Sequence, residues 1–161
     1  MIGMIDSQSR QFVVFRLGKE EFGFEVTKVR EIQSMENITV VHGSAEHIEG
    51  VMNLRGKLVT IINMRKRFGL EVGDKPNESK IVVVDASDAP VGFIVDEVIE
   101  VAHISKAEVE NVPGHIASKI ESEYVIGIAK REDRLITLID PLKVLELSCD
   151  AAVESRRSKN G

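Results

Sequence analysis

The chain of 161 residues is poor in the residues that build covalent or aromatic frameworks: it has one cysteine, no tryptophan and 4% aromatic residues. Because a disulfide needs two cysteines, Cys149 cannot form one internally, and a reducing, cytoplasmic compartment is expected. No apolar run approaches the roughly 18 residues that a membrane helix needs. The segment from Met1 to Arg10 lacks a long apolar centre and is not expected to be a signal peptide.

The composition is that of an ordinary globular protein, with 43% hydrophobic and 29% charged residues. The apolar residues are mostly valine, isoleucine and leucine, which favours β structure. The length allows one domain, or two small barrels that share a core. Residues 1–10 and 150–161 are predicted to be flexible tails.

Charge is unevenly distributed along the chain, whose net charge is −5. Residues 1–80 carry 12 basic and 11 acidic side chains, whereas residues 81–161 carry 9 basic and 15 acidic ones. The net charge opposes binding to nucleic acid and to anionic membranes. The asymmetry favours either oriented protein contacts or a chance scatter of solvated charges, and the sequence leaves both open.

Two β-hairpins are predicted in the first half of the chain. Residues 11–17 and 21–26 alternate between apolar and polar on either side of a turn. Residues 50–54 and 58–62 flank a second turn, in which Gly56 suits a positive-φ position.

Two helical turns and a connector are also predicted there. Thr27 could cap a short helix over residues 28–32. Residues 65–70 suggest a basic helical turn that ends at Gly69. Residues 72–80 contain the clearest connector in the chain.

An internal repeat is the strongest organisational feature. Residues 12–32 align with 81–101 at an offset of 69, with seven identities in 21 positions. Residues 50–70 align with 127–147 at an offset of 77, with six identities in 21. The repeat predicts one domain built from two small β-barrels, a first repeat over residues 11–72 and a second over 80–147, with a groove between them as a partner site.

Residues that could carry chemistry do not form a recognisable catalytic or metal-binding pattern. The four histidines, His42, His47, His103 and His115, are expected to be loop or surface residues. Asp96, Glu97 and Glu100 are expected to form an exposed acidic face rather than a general-acid pair. The prediction is therefore a protein that is not an enzyme and has no cofactor or metal.

A basic cluster motivates one alternative function. Arg55, Lys57 and residues 65–67 could suggest a small barrel that binds single-stranded nucleic acid. Such barrels place stacking aromatic residues beside the basic ones. Here no Tyr or Trp is near, and Phe68 is expected to be core, so this alternative is disfavoured.

A series of motifs resembles the CheW-type chemotaxis coupling proteins, at residues 11–17, 21–24, 29–32, 50–59, 61–69, 91–98 and 136–140. The resemblance covers residues 11–147. It implies two SH3-like five-stranded barrels with short helices, and a non-enzymatic adaptor that couples receptors to a kinase. Related adaptors serve other motility pathways, and the sequence does not separate these.

The resemblance also implies partners and a location. The partners would be the regulatory domain of the histidine kinase CheA and the cytoplasmic tip of transmembrane chemoreceptors. The adaptor would be cytoplasmic, monomeric when free and recruited to membrane receptor arrays, without inserting into the membrane or binding nucleic acid.

Six positions match the receptor-binding positions of the family: Val29, Glu31, Gly50, Arg55, Ile81 and Val101. The valines could line an apolar slot for a helical receptor tip, and Arg55 could make a forked contact to a carbonyl or carboxylate. The residues themselves also allow other roles. Val29, Ile81 and Val101 could be core, Arg55 could brace its hairpin against Glu31, and Gly50 could serve backbone geometry first.

Overall fold

A computed structural model describes residues 9–35, 38–41, 47–67, 78–86, 89–111 and 124–145. Several predictions concern residues outside these ranges, namely most of the two tails, most of the connector, His42, His115, Phe68 and Cys149. No helix within the described ranges is long and apolar enough to cross a membrane.

Twelve strands form in the described ranges: β1 (Arg10–Leu17), β2 (Glu20–Glu25), β3 (Val29–Ser34), β4 (Ile38–Thr39), β5 (Ile48–Leu54), β6 (Lys57–Asn63), β7 (Lys80–Asp85), β8 (Pro90–Val95), β9 (Glu97–Ile104), β10 (Val109–Glu110), β11 (Val125–Arg131) and β12 (Arg134–Ile139). Helical structure there comprises α1 (Met64–Arg67), 3-10 turns at Val26–Lys28 and Lys106–Glu108, a helical segment at 141–145 and the helical residue Tyr124.

The strands form two six-stranded sheets. Sheet A has the order β10-β11-β12-β2-β1-β9, and sheet B has the order β3-β7-β8-β6-β5-β4. The prediction of a mainly β fold is confirmed. The expected five strands become six because the two-residue strands β4 and β10 each add one to a sheet.

Each sheet combines strands from both sequence repeats. Sheet A joins the β1–β2 hairpin of the first repeat to β9–β12 of the second, and sheet B joins the β7–β8 hairpin to β3–β6. Strands of the two repeats meet at two parallel pairs, the parallel joints β2 with β12 and β8 with β6, and at two antiparallel pairs, β1 with β9 and β3 with β7. Each repeat therefore contributes its first hairpin to the sheet that contains the remaining strands of the other repeat, an arrangement we call the exchange of hairpins.

The strand registers follow the two sequence offsets. In sheet B, Thr60 pairs with Val91, and in sheet A the aligned residues Thr137 and Phe22 pair in the same way. Register shifts also recur at aligned places, between Ile48 and Gly50 in β5 and between 125 and 127 in β11. The repeat is thus present in the hydrogen bonding as well as in the sequence.

Three buried clusters hold the sheets together. The A core contains Phe12, Val14, Ala102, Ile104, Ala129, Ile136 and Leu138. The B core contains Met52, Val59, Ile61, Ile81, Val83 and Ile94. The shared core contains Phe15, Leu17, Phe22, Phe24, Ile62, Met64, Val82, Val84, Val91, Phe93, Val95, Tyr124, Ile139 and Val144.

The exchanged hairpins are buried on both faces. In β7, Ile81 and Val83 enter the B core, whereas Val82 and Val84 enter the shared core. This explains why residues 81–84 form an unbroken apolar run instead of alternating with polar residues.

Two aligned residues meet at the centre of the shared core. Phe24 and Phe93 are related by the offset of 69, and their ring centroids are 5.5 Å apart at an interplanar angle of 66°. This edge-to-face arrangement is a favourable one for aromatic pairs. Because each ring contacts its own counterpart, the approximate twofold axis relating the two repeats passes between them.

The helix predicted over residues 28–32 is wrong. A 3-10 turn occupies Val26–Lys28, and β3 begins at Val29. Pairing of β3 with β7 gives this backbone its hydrogen-bond partners, and tertiary context outweighs the local helical spacing. The second helical prediction agrees with α1 at Met64–Arg67, and its predicted end at Gly69 lies outside the described residues.

Candidate functional site

The β5–β6 turn presents Arg55 at the surface. Arg55 has a positive φ of 53°, and Gly56 follows with a φ of 85°. Two successive positive φ values are typical of the tight hairpin turns that match strand twist. The side chain of Asn53 supports the turn by accepting a hydrogen bond from the Gly56 N–H at 3.0 Å.

Arg55 makes an ion pair with Glu31 of β3, although β7 and β8 lie between β3 and β6 in the strand order of sheet B. The guanidinium donates to Glu31 Oε2 at 3.0 Å, and Gln33 donates to the other carboxylate oxygen. The two partners differ in exposure, because the Glu31 side chain is 16% exposed and that of Arg55 is 73% exposed. Glu31 is therefore held in β3, whereas most of the Arg55 side chain faces solvent.

A shallow depression of about 60 Å³ lies beside this pair. Its lining residues are Arg30, Glu31, Leu54, Arg55, Lys57, Val59 and Pro90. The depression has room for part of one side chain, which suits a protein contact more than a small-molecule site.

Gly50 lies where a side chain would not fit. A Cβ atom at this position would lie 2.1 Å from the carbonyl oxygen of Thr39 in β4. Gly127 repeats this in sheet A, where a Cβ would lie 2.6 Å from Val109 Cγ1. Gly50 thus lets β4 close onto β5, and it has this structural role whether or not it meets a partner.

The remaining predicted site residues lie in different surroundings. Ile81 is fully buried in the B core, opposite Gln33 of β3. Val29 is half-buried and packs against the shared core. Val101 is 53% exposed, but it lies on β9 in sheet A. The structure brings Glu31 and Arg55 into contact, buries Ile81 in the B core and Val29 partly against the shared core, and puts Val101 on the other sheet.

A second ion cluster was not foreseen from the sequence. Arg134 of β12 donates to Glu21 of β2 at 2.6 Å and to Glu100 of β9 at 2.6 Å. These two carboxylates raise the pKa of Arg134 above its ordinary value. The repeat contains the missed signal, because the offset of 69 aligns Glu100 with Glu31.

The two aligned glutamates have different partners. At the position of Arg134 the first repeat has Lys57, and at the position of Glu21 the second repeat has Pro90. Glu31 is instead paired by Arg55 from the turn. The arrangement in sheet A is a cross-strand clasp, whereas that in sheet B leaves an exposed guanidinium.

The expectation of an exposed acidic face at Asp96, Glu97 and Glu100 is wrong for Asp96, whereas the side chains of Glu97 and Glu100 are 43% and 37% exposed. Asp96 is 3% exposed and accepts hydrogen bonds from Arg65 at 3.0 Å and from the Gly18 N–H at 2.7 Å. Glu97 pairs with Arg16, and Glu100 pairs with Arg134. The carboxylates are used to join separate elements of the fold.

Ion pairs also involve two residues of the basic cluster formed by Arg55, Lys57 and residues 65–67. Arg55 is paired with Glu31 and Arg65 with Asp96, so two of its cations are already engaged by carboxylates. Within the described ranges, no group of three or more histidine, cysteine, aspartate or glutamate side chains could hold a metal ion.

Two interlocked β-sheets with a shared core and a solvent-facing ion pair define a small β scaffold whose candidate site is a protein-contact surface. The family model of the CheW-like domain matches residues 11–149, and the chain belongs to this family of chemotaxis scaffold and adaptor proteins.

Relatives and a solved structure agree with this assignment. The chain is 33% identical to the chemotaxis protein CheW of Bacillus subtilis, over 84% of this chain and 86% of that protein. It is 29% identical to the chemotaxis protein CheW of Klebsiella aerogenes, over 93% of this chain and 90% of that protein. The crystal structure of the scaffolding protein TtCheW from Thermoanaerobacter tengcongensis matches with a TM-score of 0.77 and 35% identity, covering 85% of this chain and 92% of that one.

Proposed function

We propose that this protein is a non-enzymatic adaptor that couples transmembrane chemoreceptors to the histidine kinase CheA. Membership of the CheW-like family supports the adaptor role. In this proposal the adaptor is cytoplasmic and is held at receptor arrays by its partners. The single observation that carries the site is the exposed Arg55 guanidinium, held at one end by the nearly buried Glu31 carboxylate.

The six predicted receptor-binding residues divide into three proposed roles. Arg55 and Val101 are exposed enough for direct contact, and Glu31 orients Arg55. An arginine held this way keeps free N–H groups for a carboxylate or carbonyl of the receptor tip. Val29, Gly50 and Ile81 would act indirectly, because their packing positions β3 and the β5–β6 hairpin.

The adaptor role is tested by co-sedimentation with receptor-containing membranes and CheA, followed by a kinase assay. We expect the protein to pellet with receptors and to raise kinase activity in the ternary mixture. Absence of binding to both partners would disprove the proposal.

Replacement of Arg55 by histidine tests the contact role. We expect Arg55→His to abolish kinase activation while the melting temperature changes little, because an exposed ion pair contributes about 0–1 kcal/mol to stability. Glu132→His is the matched control, since Glu132 occupies the aligned turn position with the same φ of 53°. A large fall in the melting temperature of Arg55→His would favour the bracing role.

A charge exchange separates pairing from contact. Arg55→Glu combined with Glu31→Arg keeps an ion pair at this place but reverses its polarity. We expect the double variant to recover stability relative to the single variants without recovering receptor binding. Recovery of both properties would show that Arg55 serves only its own hairpin.

A further inference from the structure

A cavity in sheet A is not used by the proposed adaptor site. Its volume is about 510 Å³, and its lining residues are Arg10, Phe12, Ile104, Lys106, Val109, Asn111, Ile126 and Leu138. This volume falls within the range of about 300–1,000 Å³ that is typical of small-molecule sites. Most of the wall is apolar, because five of these eight residues are apolar and three of those belong to the A core.

The two repeats differ in side-chain size beside this cavity. The A core contains Ala129 where the aligned position of the B core contains Met52. Ala129 pairs directly with Val109, which lines the cavity. The A core therefore has a methyl group where the B core has a long side chain, next to a residue that lines the cavity.

The cavity is lined by two cationic side chains and by an apolar residue, Ile126, that is exposed to solvent. Arg10 and Lys106 come from different elements, and Lys106 has no ion pair among the described residues. Arg10 is 3.6 Å from Glu25, a long contact, and its side chain is 63% exposed. Ile126 is 43% exposed, whereas the aligned position in β5 is Glu49. Sheet A thus has an apolar rim where sheet B has a carboxylate.

We propose that this cavity binds a small amphiphilic carboxylate, with an unbranched apolar tail against Phe12, Ile104 and Leu138 and its carboxylate at Lys106 and Arg10. Apolar walls suit the tail because burial removes it from water. The two cations suit the carboxylate, since charge-assisted hydrogen bonds are stronger than neutral ones. This site is independent of Arg55 and Glu31, which lie in sheet B.

Decanoate is the probe, and binding is measured by calorimetry and by methyl NMR shifts of the full-length protein. We expect saturable binding with a sub-millimolar Kd and the largest shifts at Ile104, Ile126 and Leu138. We expect decanol, which has the same chain length without the charge, to bind the wild-type protein at least tenfold more weakly than decanoate does. We also expect decanoate to bind Lys106→Gln at least tenfold more weakly than it binds the wild type.

Ile126→Glu is the decisive variant, because it installs the residue of the other repeat at an exposed position that should not disturb folding. We expect it to weaken decanoate binding at least tenfold. Leu135→Glu is the matched control: Leu135 is 59% exposed, outside the cavity lining, and its replacement should leave binding unchanged.

Three results would overturn the proposal. They are no decanoate binding to the wild-type protein at millimolar concentrations, equal binding of decanol and decanoate, or equal loss of binding in Ile126→Glu and Leu135→Glu. In the first of these cases, methyl shifts at Ile104, Ile126 and Leu138 that an acidic peptide causes would assign the cavity to a protein partner instead.

Discussion

Gly50 and Gly127 occupy aligned positions where a short strand closes onto a long one. A Cβ at Gly50 would meet the Thr39 carbonyl oxygen at 2.1 Å, and one at Gly127 would meet Val109 and the Glu110 carbonyl oxygen. The contact at Gly50 is with backbone, which cannot move aside as a flexible side-chain tip can. A substitution there must displace β4.

We expect Gly50→Ala to lower the free energy of unfolding by about 3 kcal/mol, near the upper end for overpacked sites. Gly18→Ala is the control, because Gly18 has a positive φ of 62° but nothing within 4 Å of a Cβ. It should lose only about 1 kcal/mol, from backbone conformation alone. Urea unfolding of the two variants measures this difference, and equal losses would contradict the steric argument.

At the scale of secondary-structure elements, the ion pairs of Arg134 with Glu21 and Glu100, the clasp described above, join strands from different repeats. The three residues lie on β12, β2 and β9, so the clasp crosses the parallel joint of sheet A. Two carboxylates share one guanidinium whose side chain is 34% exposed. Solvent screening reduces the interaction, but several short hydrogen bonds remain.

We expect Arg134→Met to destabilise the protein by about 1–3 kcal/mol, because two half-buried carboxylates lose their partner. Lys130→Met should change stability by less than about 0.5 kcal/mol, since the Lys130–Glu110 pair is exposed on both sides. Chemical unfolding of both variants checks the prediction. A smaller effect for Arg134 than for Lys130 would show that the clasp is not stabilising.

The 3-10 turn that precedes β10 is closed by Glu108. Its carboxylate accepts a hydrogen bond from the Ser105 N–H at 2.9 Å and one from Arg131 at 3.0 Å. The backbone hydrogen bond is the main cause that lowers the pKa of Glu108 below its ordinary 4.5, with Arg131 adding to it. The ionised form is thus favoured in the folded state.

A lowered pKa of Glu108 in the folded state predicts stabilisation above pH 4.5 that is lost as pH falls through the folded-state pKa. Glu108→Gln should therefore be less stable than the wild type at pH 7, and the difference should shrink towards pH 2. Glu110→Gln, on the next strand, is the control and should show a smaller difference at pH 7. Thermal unfolding across this pH range tests it, and a pH-independent difference would contradict the argument.

At the scale of the whole molecule, the exchange of hairpins makes the two halves of the chain interdependent. Sheet A lacks two of its six strands without the first repeat, and sheet B lacks two without the second. The missing strands are the ones buried on both faces. Each half alone would expose its A or B core and part of the shared core.

We expect fragments 1–77 and 78–161 not to fold as monomers, and a mixture of the two to recover native circular dichroism. A protease site placed within residues 71–77 of the intact chain should, once cut, leave the halves associated. Gel filtration and circular dichroism measure both results. A monomeric fragment with cooperative unfolding would contradict the exchange.

The sequence predicted much of this architecture through local pattern and repeat. The hairpins predicted at residues 11–26 and 50–62 correspond to β1–β2 and β5–β6, because alternation and turn residues act locally. The two sequence offsets, 69 and 77, also relate the strand register of one parallel joint to that of the other. The sequence did not show which sheet each hairpin joins, because a doubly buried apolar strand fits either sheet equally well.

The candidate site was predictable to a smaller extent. A brace between Arg55 and Glu31 was one of the open alternatives, and the contact is present, while its function remains a prediction. The burial of Asp96 was missed because its partner Arg65 is 31 residues away in sequence. The fully buried Ile81 shows that matching a family position does not reveal whether that side chain is accessible.

The exchanged hairpins also bear on how such a fold can arise. A single repeat can bury both faces of its first hairpin only if that hairpin inserts into the sheet of another copy. The registers of the two parallel joints are equivalent. Gene duplication and fusion of a strand-swapped homodimer would produce this connectivity directly. We expect a polypeptide that carries one averaged repeat to sediment as a dimer, so the twofold axis between Phe24 and Phe93 would be a relic of two separate chains.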